Sequence, residues 1–256
     1  MTTPIGHVHA LYRHGATVLH RLRPQTKIAA AFLFVFAVVA TPREAVWAFG
    51  IYAVIVVGLA TWARLGVRFV ATRMLIEVPF VLAALIFPFI AGGETTTVLG
   101  IDLSTSGLWD LWNVLAKATL GLMTSVVLAG TTEIPTMLKG LERLHVPRVI
   151  TAIMGFMIRY LDVVLGEFRR MRVAMQSRGY NPTWIGQAKP YAASAGTIFV
   201  RSYERGERVY LAMASRGYDG NMPGSASDQA PVSQWTAALM VPAIAWATAA
   251  LAWWSL

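Results

Sequence analysis

Nineteen consecutive residues without a charge, AVWAFGIYAVIVVGLATWA at 45–63, leave this chain few options. At 1.5 Å rise per residue a helix of that length covers roughly 28 Å, close to the hydrocarbon thickness of a bilayer. In lipid every backbone polar group must be satisfied within the segment, so the run is predicted to be a transmembrane helix. Four more stretches read the same way. A helix is predicted from Pro24, a residue favoured in a first turn, through IAAAFLFVFAVVA to Thr41, stopped by Pro42, with Lys27 snorkelling to the headgroups. MLIEVPFVLAALIFPFIA (74–91) carries Glu77 near its start and two prolines, and WNVLAKATLGLMTSVVLAG (112–130) is interrupted by Lys117. WTAALMVPAIAWATAALAWW (235–254) has tryptophans at both ends, as an interfacial aromatic belt requires. The composition agrees, since only 14% of residues are charged against about 25% in soluble domains. The expected class is an all-α polytopic membrane protein with about five transmembrane helices and a cytoplasmic segment of further helices.

The basic residues assign the sides. Residues 1–27 hold Arg13, Arg21, Arg23 and Lys27 with no acid, and 64–73 hold Arg64, Arg68 and Arg73. The connection 92–111 has Glu94, Asp102 and Asp110 and no basic residue, whereas 131–234 has 13 basic and eight acidic residues. This alternation predicts a cytoplasmic N-terminus and, after five crossings, a C-terminus outside. The formal net charge of +9 is then mostly topology, and no nucleic-acid partner is expected. The polar opening MTTPIGHVHALYRHG has no continuous apolar core, so no cleavable signal peptide is predicted. With no cysteine there is no disulfide and no thiolate metal site.

The predicted organisation is a cytoplasmic N-terminal segment (1–23), four spans (24–130), a cytoplasmic helical region (131–218), a linker (219–234) and the last span (235–256). The region 131–218 is too long for a simple loop. A first helix is read over TEIPTMLKGLERLH (132–145), with Thr132 as N-cap candidate, Pro135 early and Pro147 ending it. A second runs from about Arg148 to Arg178 with an apolar stripe through Ile150, Met154, Met157, Leu161, Leu165, Phe168, Met171 and Met175. Its charges gather late, in EFRRMR (167–172), so it is expected at the membrane surface, ending in the cytoplasm. A third spans roughly Tyr191 to Arg216, with a weaker stripe through Ala195, Phe199, Val209 and Met213 and small residues at 192–196 that permit close helix approach.

The second and third helices end in nearly the same phrase, AMQSRGY to Tyr180 and AMASRGY to Tyr218. A glycine just past a helix end and an arginine in the last turn are ordinary capping chemistry. That chemistry, as read from sequence, does not account for Ala-Met before and Tyr after, twice. Two identical tips suit two equivalent sites on a pseudo-symmetric partner. A guanidinium at each suits an acidic groove, which it would grip through bidentate carboxylate pairing.

These residues resemble the transmembrane T component of energy-coupling factor (ECF) transporters, a family with two cytoplasmic coupling helices that each end in a motif with central Arg, usually Ala-Arg-Gly. Here both read Ser-Arg-Gly, Ser177-Arg178-Gly179 and Ser215-Arg216-Gly217. VLHRLRPQTK (18–27), TTEIPTMLKGLERLHVPRV (131–149) and GFMIRYLDVVLGEFRRM (155–171) are most similar to the cobalt-transport branch, the CbiQ-type proteins. The resemblance implies a non-catalytic subunit in the cell membrane. Two CbiO-type ATPase subunits would each receive one Arg-bearing tip. The helices would pass their closing motion to a substrate-binding S component, CbiM, accompanied by the small CbiN, supplying cobalt for cobalamin biosynthesis. The resemblance gives metal selection to the S component and implies no cofactor or metal held by this chain. A nickel or vitamin system stays open as an alternative.

Other residues compete for attention. His7, His9, His14 and His20 cluster near the N-terminus, with His145 apart, but no carboxylate lies in 1–27 and the His-x-His pair does not share a helix face, so no metal site is expected. Glu77 and Lys117, ionisable inside spans, are read as snorkelling to an interface, with a Glu77–Lys117 pair or a pathway role as alternatives. Arg159 and Asp162, three apart, are candidates for a local pair. No Walker A pattern, His-Glu-x-x-His or Gly-x-Ser-x-Gly occurs. A membrane enzyme acting on a lipid or prenyl diphosphate would need an acidic metal-binding run that 131–234 lacks.

Overall fold

The computed structural model describes residues 12, 13, 15, 17–90, 92, 95–98, 101–180, 184–187, 189–219 and 230–255. The helices, in chain order, are α1 (Val18–Arg21), α2 (Pro24–Ala40), α3 (Val46–Trp62), α4 (Val67–Met74), α5 (Val78–Ala84), α6 (Phe87–Ile90), α7 (Thr105–Thr131), α8 (Ile134–Arg143), α9 (Arg148–Ser177), α10 (Lys189–Ala214) and α11 (Val232–Trp254). One two-stranded antiparallel hairpin, β1 (Thr95–Val98) and β2 (Ile101–Ser104), precedes α7. The all-α expectation holds apart from that hairpin, which the sequence reading left inside a connection.

All five predicted spans are helical. Four segments are long and apolar enough to cross a membrane, namely Val67–Ile90, Thr105–Thr131, Arg148–Ser177 and Val232–Trp254, while α2 and α3 are shorter apolar helices of 17 residues each. At about 25 Å these two lie near the lower limit for a span. The third span begins seven residues earlier than the sequence suggested and is broken. Pro79 cannot donate to the carbonyl of Leu75, where a 3-10 turn (Leu75–Glu77) replaces the α-helix. Pro88 has the same relation to Ala84, the last residue of α5. The fourth span starts at Thr105 instead of 112, capped by Ser104, whose Oγ accepts from the Gly107 N–H at 3.4 Å.

The chain forms two units, Val146–Asp228 with Met1–Val8, and His9–His145 with Gln229–Leu256. In the larger unit α2 and α11 pack closely through small residues, Ala37, Ala245 and Ala252 being fully buried. Tyr52 anchors the centre. Its hydroxyl bonds the Ala245 carbonyl at 3.0 Å and the Thr41 hydroxyl at 2.9 Å, with Phe34 and Phe49 edge-on to its ring. Buried tyrosine is stable only with such partners.

Polar contacts at the two ends fix the helix directions. At one end Lys27 Nζ donates to the Thr131 carbonyl (2.9 Å) and the Thr132 hydroxyl (3.1 Å), and the Arg23 N–H donates to Gln234 Oε1 (3.2 Å). At the other end Arg43 pairs with Asp110 at 2.7 Å and Trp253 Nε1 donates to the Ala40 carbonyl at 2.9 Å. Consecutive spans of this unit therefore alternate in direction. Thr132, expected to cap the next helix, holds Lys27 instead. The cap of α8 is Glu133, without a side-chain bond, and Pro135 sits in the first turn.

Helix α8 lies on the start of α2 through Gly140. A Cβ there would stand 2.9 Å from Ile28 Cδ1 and Pro24 Cβ and 3.1 Å from the Gln25 backbone nitrogen. Gly140→Val is expected to push α8 away and lower stability by about 1–3 kcal/mol. A reduced thermal midpoint of the purified chain in detergent would record it, and an unchanged midpoint would refute the tight contact.

The intramembrane charges do not pair. Glu77 is buried and accepts from the Thr119 hydroxyl at 2.8 Å, while Lys117 Nζ donates to the Val39 carbonyl at 2.8 Å. Glu77 therefore does not snorkel. A neighbouring hydroxyl holds one of its oxygens in place.

Candidate functional site: two helix tips

The smaller unit is built on α9 and α10. Their contact face on α10 runs through Tyr191, Ser194, Ile198, Ser202, Arg205, Val209 and Met213, at steps of three and four. Three of these seven, Ser194, Ser202 and Arg205, are polar, so the stripe is weak as an apolar signal. Val209 and Met213 fall on the face as predicted, but Ala195 and Phe199 point away and are exposed. The stripe predicted on α9 divides as well. Leu165, Met171 and Met175 are partly covered, whereas Ile150, Met154, Met157, Leu161 and Phe168 are exposed. An apolar helical face of that length, left open, is suited to a partner.

An ion pair between Glu167 and Arg205 joins the two helices; Glu167 is buried. It was missed because EFRRMR reads as a solvated charge run. The Arg159–Asp162 pair considered from sequence is not formed, and both residues are exposed. Glu167 Oε2 and Arg205 Nη1 are buried without partners, so the pair has little reserve. Glu167→Gln is expected to loosen α9 from α10 by about 2 kcal/mol, less than for a fully buried pair because Arg205 keeps some solvent. Faster amide exchange around 160–170 and 200–210 would show it. The isosteric apolar double change Glu167→Met/Arg205→Met should recover much of the protection, and no difference among the three proteins would sink the assignment.

Beyond these contacts the two helices end identically. At the first tip the Gly179 N–H bonds the Gln176 carbonyl (2.9 Å) and the Tyr180 N–H bonds the Met175 carbonyl (3.0 Å). At the second the Gly217 N–H bonds the Ala214 carbonyl (3.0 Å) and the Tyr218 N–H bonds the Met213 carbonyl (3.0 Å). Gly179 has φ +78° and Gly217 φ +82°. Each is a Schellman motif, in which a left-handed glycine lets two N–H groups return to helix carbonyls, accompanied by an apolar contact between its flanking positions. Those positions are Met175 with Tyr180 and Met213 with Tyr218, all half-buried. Capping therefore accounts for more of the phrase than the sequence suggested, including the methionine and the tyrosine.

Arg178 and Arg216 stand outside that account. Each occupies the cap position itself, exposed, and neither guanidinium has a hydrogen bond or ion pair among the described residues. The serines beside them are inward-bonded, Ser177 Oγ to the Val173 carbonyl (2.9 Å) and Ser215 Oγ to the Ala212 carbonyl (3.1 Å). The tips differ in their surroundings. Tyr180 packs on Tyr191 with ring centroids 6.0 Å apart, whereas Tyr218 lines a cleft of about 540 Å³ with Phe156, Tyr160 and Met213. What the two tips share is a rigid backbone turn that projects one free arginine.

Of the histidines, His7, His9 and His14 lie outside the described residues, as does most of the linker 219–234. His20 bonds Thr17 Oγ1 at 2.7 Å and the Arg13 carbonyl at 3.1 Å. Burial pushes its imidazole below the ordinary histidine value, Lys27 adding to the shift and the Arg13 carbonyl opposing it. It packs a chain segment against the bundle and faces no second ligand, for among the described residues no group of three His, Asp or Glu is placed to hold a metal.

A family model described as CbiQ, cobalt transport protein, matches residues 15–225. The putative fused cobalt transport protein CbiMQ of Methanocorpusculum labreanum is 27% identical over 180 residues, covering 65% of this chain. This chain spans only 30% of that fused protein's length. The energy-coupling factor transporter transmembrane protein EcfT of Bacillus selenitireducens is 26% identical over 228 residues, covering 82% of each chain. The protein of the same name from Bacillus subtilis is 25% identical over 228 residues, covering 82% of this chain and 83% of that one. Both helix tips fall inside the matched region.

Proposed function

Since this chain belongs to the CbiQ family of cobalt transport proteins, the T components of ECF transporters, we propose that it is the coupling subunit of an ATP-driven cobalt importer and that Arg178 and Arg216 are its contacts with the ATPases. One observation carries the reading: two caps with the same backbone hydrogen bonds each present one exposed arginine with no partner among the described residues. Identical chemistry at the two tips suits a dimer of identical ATPase subunits, CbiO-type, each offering one acidic groove. An Arg fork gains most where it meets a carboxylate pair away from water. The exposed apolar face of α9, from Ile150 to Leu161, would meet the S component, CbiM-type with its small CbiN-type companion. ATP-driven closure of the ATPase pair would shift the conformational equilibrium of that assembly. The chain itself needs no catalytic group or cofactor for this, and lipid is its surrounding medium.

The proposed orientation follows the basic residues, with the N-terminus in the cytoplasm and the C-terminus outside. α9 is apolar enough to cross by length and composition, with mean hydropathy 1.7 over its most apolar stretch. A crossing there would carry the EFRRMR run and Arg178 to the outer side, against the charge rule. We therefore place α9, α10 and both tips on the cytoplasmic side.

A nickel or vitamin system is the second reading, left open by the EcfT relatives, whose name specifies no substrate and which cover 82% of this chain against 65% for CbiMQ. One experiment separates the two. Cells expressing the chain with candidate ATPase and S partners are assayed for uptake of radiolabelled cobalt and nickel, beside the Arg178→Ala/Arg216→Ala protein. Cobalt uptake that needs both arginines supports the proposal, nickel uptake with the same dependence supports the second reading, and uptake indifferent to the arginines removes the coupling role.

A further inference from the structure

Between α2, α3, α7 and α11 a cavity of about 130 Å³ opens beside Lys27. Ala31, Phe34, Leu59, Trp62, Val127 and Ala238 make most of its wall apolar. Two threonines also line it, but their hydroxyl protons are already used, Thr124 on the Leu120 carbonyl and Thr131 on the Val127 carbonyl. The group left to act on an occupant is the Lys27 ammonium.

That ammonium is half-buried and unusually provided for. Two of its three donors reach neutral oxygens, on Thr131 and Thr132, and among the described residues no carboxylate pairs with it. It also sits in the first turn of α2, where the helix dipole is positive and no acidic residue compensates. Taking a cation out of water beside a like partial charge is unfavourable unless an anion completes it. The missing anion and the apolar slot lie together at the end of the bundle where Arg21 and Arg23 also sit, with Trp62 on the rim. A molecule that satisfies both is an amphiphile with a negative head.

We propose that this cavity seats the first few methylenes of one acyl chain of an anionic phospholipid, the rest of the chain continuing along the outside of the bundle, with the headgroup phosphate on Lys27. The site is independent of the helix tips, so its failure would leave the coupling role untouched. The full-length chain, purified in a neutral detergent, is incubated with phosphatidylglycerol, with phosphatidylcholine of the same acyl chains, and with oleate, and bound lipid is counted by native mass spectrometry. One phosphatidylglycerol per chain is expected, retained about tenfold over phosphatidylcholine, as a single desolvated lysine would give. Lys27→Gln, which keeps donors for Thr131 and Thr132, should abolish that preference. Ala31→Leu, which fills the slot and keeps the Lys27 ammonium, should lower retention of both phospholipids. Equal retention of the two phospholipids by the unaltered chain, a preference that survives Lys27→Gln, retention unchanged by Ala31→Leu, or a preference for oleate would each overturn the proposal.

Discussion

Replacing Arg178 and Arg216 together with alanine is expected to lower cobalt uptake at least about a hundredfold while leaving the amount of protein in the membrane unchanged. The two halves of that statement rest on different observations. Neither guanidinium bonds anything within the described chain, so removing it costs the fold nothing that the structure shows. Truncating one partner of a buried, hydrogen-bonded charge pair at an interface costs about 2–5 kcal/mol, so each tip alone should account for about thirtyfold or more. ATP hydrolysis stimulated by assembly should fall in parallel, because the same contacts would carry motion in both directions. Arg178→Lys/Arg216→Lys separates charge from shape, since lysine keeps the charge without the planar fork, and uptake between the two extremes is expected. A double alanine protein that transports at the unaltered rate would show that the arginines are solvated ornaments of two caps. A chain absent from the membrane would contradict the structural half.

The spans were legible because the bilayer permits so little else. Hydrophobic runs near 20 residues and the alternation of basic connections are set by the solvent, not by packing. What escaped was set by packing. Nothing in the run 74–91 distinguishes Pro79 and Pro88 from tolerated kinks, so the break at Leu75–Glu77 and the earlier start at Val67 depend on how α4 to α6 lie along α7. Glu77 looked like an interfacial charge because its partner, Thr119, stands 42 positions away with no charge to advertise it. The contact face of α10 hides for a related reason: Ser194, Ser202 and Arg205 are polar, and Arg205 is admitted to the interface only by Glu167. At the tips the sequence was a better guide to position than to meaning. The glycines read as ordinary caps are caps, with left-handed backbone, but the methionine and tyrosine proved to belong to the cap as well, which narrows the unexplained part of the phrase to the arginine.

That narrowing makes the glycines testable apart from the charge. A Cβ at Gly179 or Gly217 would meet nothing within 4 Å, so alanine there brings no clash and acts only through the backbone. Each residue sits near φ +80°, a conformation that costs an ordinary L-residue about 1–2 kcal/mol. Gly179→Ala/Gly217→Ala therefore keeps both arginines and both surfaces while each capped turn becomes at least about fivefold less favoured against frayed alternatives. If the arginine must be presented by that turn, uptake should fall by roughly tenfold or more with membrane levels intact. Asparagine, which enters the left-handed region more readily, should restore part of the loss. α3 and α8 show that the chain can hold other residues there, since Arg64 (φ 54°) and His145 (φ 65°) follow their ends. Both of those residues are exposed, so the left-handed turn can be reached there without glycine at the cost stated. Full uptake by the double alanine protein would mean that the arginines reach their partner from a flexible end, and the identity of the two caps would then have no bearing on coupling.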